Sequence, residues 1–271
     1  MVDEAKRRAQ ITYDAAADHF DGPALAFWDR YGRATIDRLD LARGASVLDV
    51  CSGAGGSAVP AAERVAPTGQ VMAVDLAQNL LDLARAKADR AGLGEVLKTH
   101  CADLDELDEP AESFDAVVIV FGLFFLADME KATADLWRLV APTGQLAVTT
   151  WGPRLFEPAN SVFWDAVNAV RPELNRAYHP WDSLTDPEAL RHVLRRAGIP
   201  AADIDTVDGF QPLRSPEDFW AIVLGSGYRA TYELLTPEQR AHVHDHVISS
   251  LTKARIDQVE TNVIYARATK P

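Results

Sequence analysis

A chain of 271 residues with 40 acidic against 27 basic side chains carries a formal net charge of −13, which argues against DNA or RNA as a partner, because a polyanion needs a dense basic patch that this sequence lacks. Hydrophobic residues at 48% and charged residues at 25% suit a globular chain with a sizeable core, and no run approaches the roughly 18 apolar residues of a membrane span. Two cysteines make no disulfide framework, and the charged stretch Met1 to Gln10 lacks the apolar centre of a secretory signal, so the cytoplasm is the expected compartment.

Residues 1–44 read as a helical cap, with Ile11, Phe20, Leu25, Phe27, Trp28, Tyr31, Ile36 and Leu39 spread among polar neighbours and Gly22-Pro23 as a break. An alternation then begins. Val47 to Val50 is a short apolar strand, a helix runs from Ser57 to about Val65, and Val71 to Val74 is a second strand ending at Asp75. A helix over about Gln78 to Ala91 places Leu80, Leu81, Ala84, Ala88 and Ala91 on one face and stops at Gly92. Strands near Val96 to Cys101, Ala116 to Phe121 and Gln145 to Thr150 follow, with a helix near Glu130 to Val140 before the last of them. Continuous apolar strands separated by amphipathic helices predict an α/β fold whose parallel sheet is covered on both faces, with residues 45–151 as its ligand-binding core.

Beyond Trp151 the rhythm changes. Residues 152–271 are expected to complete the core with a late strand pair, about Ile204 to Phe210 and Val259 to Ala268, and to supply helices near Pro187 to Ala197, Pro216 to Leu224 and Pro237 to Leu251 as part of a substrate lid. One core with a cap accommodates the length. Nothing in the pattern sets an oligomeric state.

The segment Val47-Leu48-Asp49-Val50-Cys51-Ser52-Gly53-Ala54-Gly55-Gly56-Ser57 reads as strand, glycine loop and helix start, with Ser57 as the expected N-cap. Such a loop brings helix N-terminal N–H groups next to a small molecule, which favours nucleotide-like ligands. Gly53-x-Gly55-x-x-Ala58 with Asp75 at the end of the second strand also fits the dinucleotide fingerprint. Three features point elsewhere. Asp49 sits inside the first strand, where a buried carboxylate needs a partner; Asp103 stands just past the third strand, on the ligand-binding edge; and some 45 residues precede the first strand.

With these features the sequence resembles the class I S-adenosylmethionine-dependent methyltransferases. Val47 through Gly55 resembles that family's first motif, Ala73-Val74-Asp75-Leu76 its second, and Ala102-Asp103-Leu104 the segment beside the adenine. Phe114-Asp115-Ala116-Val117-Val118 and Leu139-Val140-Ala141-Pro142-Thr143-Gly144-Gln145-Leu146 are similar to the fourth strand and the turn into the fifth. The order of these matches is the family's. The resemblance implies a Rossmann-like, mostly parallel seven-stranded sheet with an antiparallel last strand, and S-adenosylmethionine as cofactor.

Carried over by position, the resemblance implies that Gly53, Ala54 and Gly55 approach the methionine part, that Asp49 organises the loop and the ammonium, and that Asp75 accepts both ribose hydroxyls. A carboxylate is a pure acceptor and a diol offers two donors, so the chemistry agrees. Asp103 would take the adenine amino group. Leu76 and Leu80 would sandwich the ring, although Leu80 also fits a core helix position, and Val120 and Phe121 would line the far side. Cys51 faces the same edge, and Cys101 ends the third strand; small buried side chains account for both, and a strand expected between theirs argues against a disulfide.

Within the class, the chain most resembles the small-molecule branch that includes the ubiquinone and menaquinone C-methyltransferases. Tyr13-Asp14-Ala15-Ala16-Ala17-Asp18 looks like the N-terminal segment that closes over the cofactor there, with the Tyr13 hydroxyl near the methionine carboxylate. Many relatives carry two histidines after the fourth strand, where this chain has Phe124-Phe125. That removes a familiar base and leaves an apolar floor.

Methyl transfer is a direct displacement, so positioning and desolvation can carry it and a base is needed only if the acceptor must lose a proton. His19 and His179 are the candidate bases, though each reads better as a surface or core histidine; His192 reads as a solvated face. His242, His244 and His246 alternate along the polar helix near the end, and no metal is expected. The acidic run Asp103 to Glu109 reads as a solvated loop. Phe20, Trp28, Phe125, Trp151 and Trp181 are the candidate acceptor contacts. With Phe27, Phe124, Phe156 and Trp164 they also read as packing between lid and core, and together they imply a small apolar or aromatic acceptor such as a quinol, polyketide or terpenoid-like metabolite, methylated at carbon or oxygen. Two other readings stand beside this one. A short-chain NAD-dependent oxidoreductase would need Tyr-x-x-x-Lys, yet Tyr13, Tyr31, Tyr178, Tyr228, Tyr232 and Tyr265 all lack Lys four residues on. A non-catalytic cofactor-binding protein would keep the loop and lose the acceptor site.

Overall fold

The computed structural model describes residues 4–174 and 179–271, so Tyr178 lies outside the described residues. The N-terminal segment forms α1 (Glu4–Ala16) and α2 (Phe27–Ile36), parted at Gly22-Pro23 by the 3-10 turn Pro23–Leu25. β1 (Ser46–Val50), α3 (Ala58–Val65), β2 (Gln70–Asp75), α4 (Gln78–Arg90) and β3 (Leu97–Cys101) then alternate, followed by β4 (Phe114–Val120), α5 (Met129–Leu139) and β5 (Val140–Trp151). The remainder comprises α6 (Ala159–Val170), α7 (Pro187–Arg196), β6 (Asp203–Val207), β7 (Phe210–Pro212) and α8 (Pro216–Leu224), then α9 (Arg229–Glu233), α10 (Pro237–Ala254), β8 (Gln258–Glu260) and β9 (Val263–Thr269). Proline at the first position of α7, α8 and α10 costs no hydrogen bond, because that N–H has no intrahelical partner.

Seven strands form one sheet in the order β3-β2-β1-β4-β5-β9-β6. β1 through β5 pair in parallel, and β9, inserted between β5 and β6, runs antiparallel to both. This is the covered parallel sheet that the apolar runs predicted, in the Rossmann-like form with an antiparallel last strand that the resemblance implied. The central strands are mostly apolar because both faces are covered, with Asp49 the buried exception in β1. Val47, Ala116 and Val118 pack with Ala58, Ala61, Ala62 and Val65 of α3 on one face, while Leu48, Val50, Val117 and Ile119 pack with Leu136 and Leu139 of α5 on the other. Strand order places β2 between β1 and β3, and Cys51 and Cys101 are free thiols; Cys101 is exposed at the polar edge strand, not the buried side chain expected from the sequence. Among the described residues no helix is long and apolar enough to cross a membrane.

The late segment departs from its sequence reading in three places. Each expected late strand is split: β6 and β9 join the main sheet, while β7 and β8 form a separate antiparallel pair. The break lies at Gly209, where an added Cβ would sit 2.1 Å from the Tyr31 hydroxyl and 2.7 Å from the Thr261 carbonyl. Asn262 fixes the other side, accepting from the Gly209 N–H at 3.0 Å and donating to the Pro153 carbonyl at 3.0 Å. The third departure is α6, a helix in a stretch whose prolines and aromatics gave no clear period. Phe163, Trp164 and Val167 are its buried face, against α10.

Candidate active site

The glycine loop leaves β1 through three left-handed residues, Cys51 (φ 54°), Gly53 (φ 52°) and Gly55 (φ 81°). Glycine tolerates that region, whereas a side chain there costs on the order of 1–3 kcal/mol. Cys51 fits because Gly122 opposite has no side chain: a Cβ there would meet the Cys51 Cβ at 2.4 Å. Asp75 then ties the loop to the next strand. Its carboxylate accepts from the Gly53 N–H at 2.8 Å and the Ala77 N–H at 2.9 Å, which leaves acceptor capacity for two further donors. Burial pushes the Asp75 acid above its ordinary range, and the backbone N–H groups pull it back.

Asp49 lies behind the loop, 1% exposed. One oxygen accepts from the Ser57 hydroxyl at 2.7 Å, and the other has no partner among the described residues. Ser57 therefore does not cap α3 with its side chain, as its position predicted; the hydroxyl goes to the buried acid, which needs it more. Burial raises the Asp49 acid from 3.8 to about 7. A carboxyl whose pKa rises on folding favours the native state only while protonated, so the native state should lose stability as pH climbs from 3.8 to about 7 and lose no more above that. Asp49→Asn is expected to flatten this slope, read from urea melts at pH values across the window; an unchanged slope would show that Asp49 is not its source.

Three residues of α1 fasten it over the cleft. The Lys6 ammonium meets Asp103 at 2.7 Å and Asp105 at 2.5 Å, the Gln10 amide donates to the Leu76 carbonyl at 3.0 Å, and Asp14 accepts from the Asn79 N–H at 2.9 Å. Asp103 is not part of a solvated loop: it is 7% exposed, paired with Lys6, and accepts from the Asp105 N–H at 3.1 Å. Lys6, a lining residue that the sequence reading missed, is one helical turn before Gln10 and two before Tyr13, a spacing that puts all three on one face.

Beneath α1 the structure encloses a cleft of about 1100 Å³, counted with its open mouth. Tyr13, Cys51, Gly53, Ala54, Asp75, Leu76, Leu80, Ala102, Asp103, Leu104, Val120 and Phe121 all line it. Asp49 and Gly55 do not; a Cβ on Gly55 would meet the Ala84 Cβ at 3.0 Å, so its bareness serves the approach of α4. Ser52 also lines the cleft with a buried hydroxyl that has no partner among the described residues. An adenosyl ligand fits the chemistry of these residues, which set the Asp75 and Asp103 carboxylates and the apolar side chains of Leu76 and Leu80 around one cleft.

A second, much smaller cavity adjoins the first and shares Tyr13, Trp28 and Phe121 with it. Trp151 and Trp181 line this chamber, and Phe20 and Phe125 line the cleft. Phe121 and Trp151 stack at 3.8 Å and 13°. The chamber's other wall is Ser226-Gly227-Tyr228, between α8 and α9, where no sequence signal marked a site. Among the described residues its lining has no Asp, Glu, His, Lys or Arg.

Neither candidate base lines either cavity. His19 is bonded to Asp18 at 2.5 Å and half-buried at the end of the cap, and His179 stacks on Trp164 at 4.6 Å and on Trp181 at 4.8 Å, as backing for the chamber wall. His192 is exposed, and among the described residues no group of His, Cys, Asp and Glu could hold a metal.

Residues 11–175 match the ubiE/COQ5 methyltransferase family. The chain is 29% identical over 258 residues to nocamycin O-methyltransferase of Saccharothrix syringae, covering 89% of this chain and 90% of that protein. It is 31% identical over 153 residues to the ubiquinone/menaquinone biosynthesis C-methyltransferase UbiE of Psychromonas ingrahamii, covering 56% of this chain and 59% of that one. Among solved structures, its fold is similar to phosphoethanolamine N-methyltransferase 2 of Haemonchus contortus in complex with S-adenosyl-L-methionine, at a TM-score of 0.60 and 18% identity over 100% of this chain and 60% of that chain. It is likewise similar to the YcgJ protein of Bacillus subtilis, at a TM-score of 0.59 and 16% identity over 89% and 98%.

Proposed function

The chain belongs to the ubiE/COQ5 methyltransferase family, and from that premise we propose that it methylates a small, uncharged apolar or aromatic metabolite at carbon or oxygen. S-adenosylmethionine, when bound, supplies an electrophilic methyl group on a sulfonium sulfur. Asp75 accepts from the ribose hydroxyls, Asp103 receives the adenine amino group beside Lys6, and Leu76 and Leu80 flank the base. Gly53 and Ala54 present backbone to the methionine part. Asp49 acts from behind, through Ser57 and the loop.

The observation that carries the acceptor reading is the aromatic chamber joined to the cleft at Tyr13, Trp28 and Phe121. A charged acceptor would lose its hydration there without a compensating ion, whereas a flat apolar one gains by leaving water. The chamber walls hold the acceptor and exclude solvent, which is the protein's main contribution to a displacement that needs alignment more than a base. The relatives' names, which speak of O- and C-methyl transfer, support carbon or oxygen as the methylated atom. Transfer of labelled methyl from S-adenosylmethionine to a panel of acceptors tests this. Flat, uncharged aromatic and enolic compounds are expected to be methylated ahead of amines, phosphate esters and other charged compounds, and the reverse order would sink the reading.

A further inference from the structure

The cleft must also answer the amino-acid end of S-adenosylmethionine, a carboxylate and an ammonium that each need a partner once out of water. Among the described residues of the lining, only Lys6, Asp29, Asp75 and Asp103 carry charge. Lys6 and Asp103 are paired with each other, and Asp75 holds the Gly53 and Ala77 N–H groups. Of the two groups that the resemblance implies for this end, Asp49 does not line the cleft, and the Tyr13 oxygen lies 3.6 Å from the Cβ position of Gly227, a residue of the chamber and not of the cleft.

The first turn of α2 has the complementary chemistry. Gly56 lacks a side chain, so the Trp28 carbonyl and the Asp29 Cα come within 2.8 and 3.5 Å of its Cβ position, and both residues line the cleft beside the glycine loop. The Trp28 ring stacks on Phe20 at 5.3 Å and 4°, and the Phe20 edge is 4.0 Å from the Cβ position of Gly53, so the indole stands over the loop. Its N–H is buried and has no partner among the described residues. The same holds for the hydroxyl of Ser52, a loop residue only 6% exposed. Two buried donors without acceptors on one cleft are costly until a ligand supplies the acceptor. Asp29 has the opposite character. Lys87, which does not line the cleft, donates to its carboxylate at 3.0 and 3.3 Å and also meets Asp21 at 2.9 Å, which leaves Asp29 acceptor capacity for another donor.

We infer that the first turn of α2 and the glycine loop together hold the amino-acid end of the cofactor, the Trp28 indole N–H and the Ser52 hydroxyl donating to the carboxylate and the Asp29 carboxylate accepting from the ammonium. This rests on S-adenosylmethionine lying in the cleft with its ribose on Asp75. It makes α2 a selector of the cofactor, since a nucleoside without the amino-acid end leaves both buried donors unanswered.

The test is calorimetric titration with four ligands that share the adenosyl thioether and differ at that end. S-adenosylhomocysteine has both charges, 4-(5′-adenosylthio)butanoate only the carboxylate, 5′-(3-aminopropylthio)-5′-deoxyadenosine only the ammonium, and 5′-methylthioadenosine neither. Trp28→Phe is expected to weaken the two carboxylate ligands by about tenfold and to leave the other two within about twofold. Ser52→Ala should act in the same direction by about threefold to tenfold, and it keeps the carboxylate arm readable if Trp28→Phe does not fold. Asp29→Asn should weaken the two ammonium ligands by about threefold to tenfold, a modest loss because the side chain is 61% exposed. Variants that weaken all four ligands alike would show that these side chains only shape the loop, and the inference would fall. It falls too if Tyr13→Phe, and neither Trp28→Phe nor Ser52→Ala, removes the preference for a carboxylate, or if Asp29→Asn binds the ammonium ligands as the parent does. Asp75→Ala separates the premise from the inference: if it leaves 5′-methylthioadenosine binding unchanged, the ribose does not lie on Asp75 and both fail together.

Discussion

Asp75→Ala is expected to weaken binding of S-adenosylhomocysteine by about 1–3 kcal/mol, roughly fivefold to 150-fold in Kd, the range for a lost charge-assisted hydrogen bond. Two losses combine in this variant. The ribose loses its acceptor, and the Gly53 and Ala77 N–H groups, now 2.8 and 2.9 Å from the carboxylate, lose the group that holds the loop against β2. Asp75→Asn keeps one carbonyl oxygen and should lie between the two. Calorimetric titration of the three proteins checks the order, and an alanine variant that binds as tightly as the parent would show that Asp75 is not the ribose acceptor.

The largest effect on stability is expected at Gly32→Ala. In an isolated helix this change is favourable by about 1 kcal/mol, so surface reasoning predicts stabilisation. In α2, however, the new Cβ would lie 2.3 Å from the carbonyl carbon and oxygen of Gly56, backbone atoms that cannot step aside without moving the loop. Gly56 returns the contact, with its own missing Cβ 2.8 Å from the Trp28 carbonyl. Overpacking costs about 1–3 kcal/mol and more against rigid backbone, enough to outweigh the helix propensity. The melting temperature should fall by roughly 2–5 °C, and cofactor affinity should fall with it because the loop shifts. A melting temperature at or above the parent's would mean that α2 does not press on the loop at Gly56.

Gly32 shows which kind of information the sequence withholds. The sheet was legible because each buried strand is a continuous apolar run, and Val47 and Leu48, facing opposite layers, are both fully buried. The acids of the site were legible because a carboxylate at the end of an apolar strand is costly unless it has work to do, as at Asp75, and because Asp103 follows the neighbouring strand on the same edge of the sheet. A glycine inside a helix, by contrast, has a close neighbour only in three dimensions. The same is true of Gly209 and Asn262, whose contact splits two predicted strands, and of Ser226-Gly227-Tyr228, which faces Trp28 and Trp151 from far along the chain. Lys6 was hidden for another reason: among charged neighbours at a chain end it resembles a solvated residue, and only its pairing with Asp103 sets it apart. The histidines failed as signals because a side chain suited to proton transfer is equally suited to stacking, and His179 stacks on two tryptophans.

The account turns on the cofactor cleft and the aromatic chamber meeting at Tyr13, Trp28 and Phe121, and a crystal structure of the protein with S-adenosylhomocysteine bound tests this most directly. The ribose is expected on Asp75, the base between Leu76 and Leu80 with its amino group toward Asp103, and the sulfur facing the opening into the chamber. A ligand seated with its ribose away from Asp75, or with its sulfur turned from that opening, would contradict it.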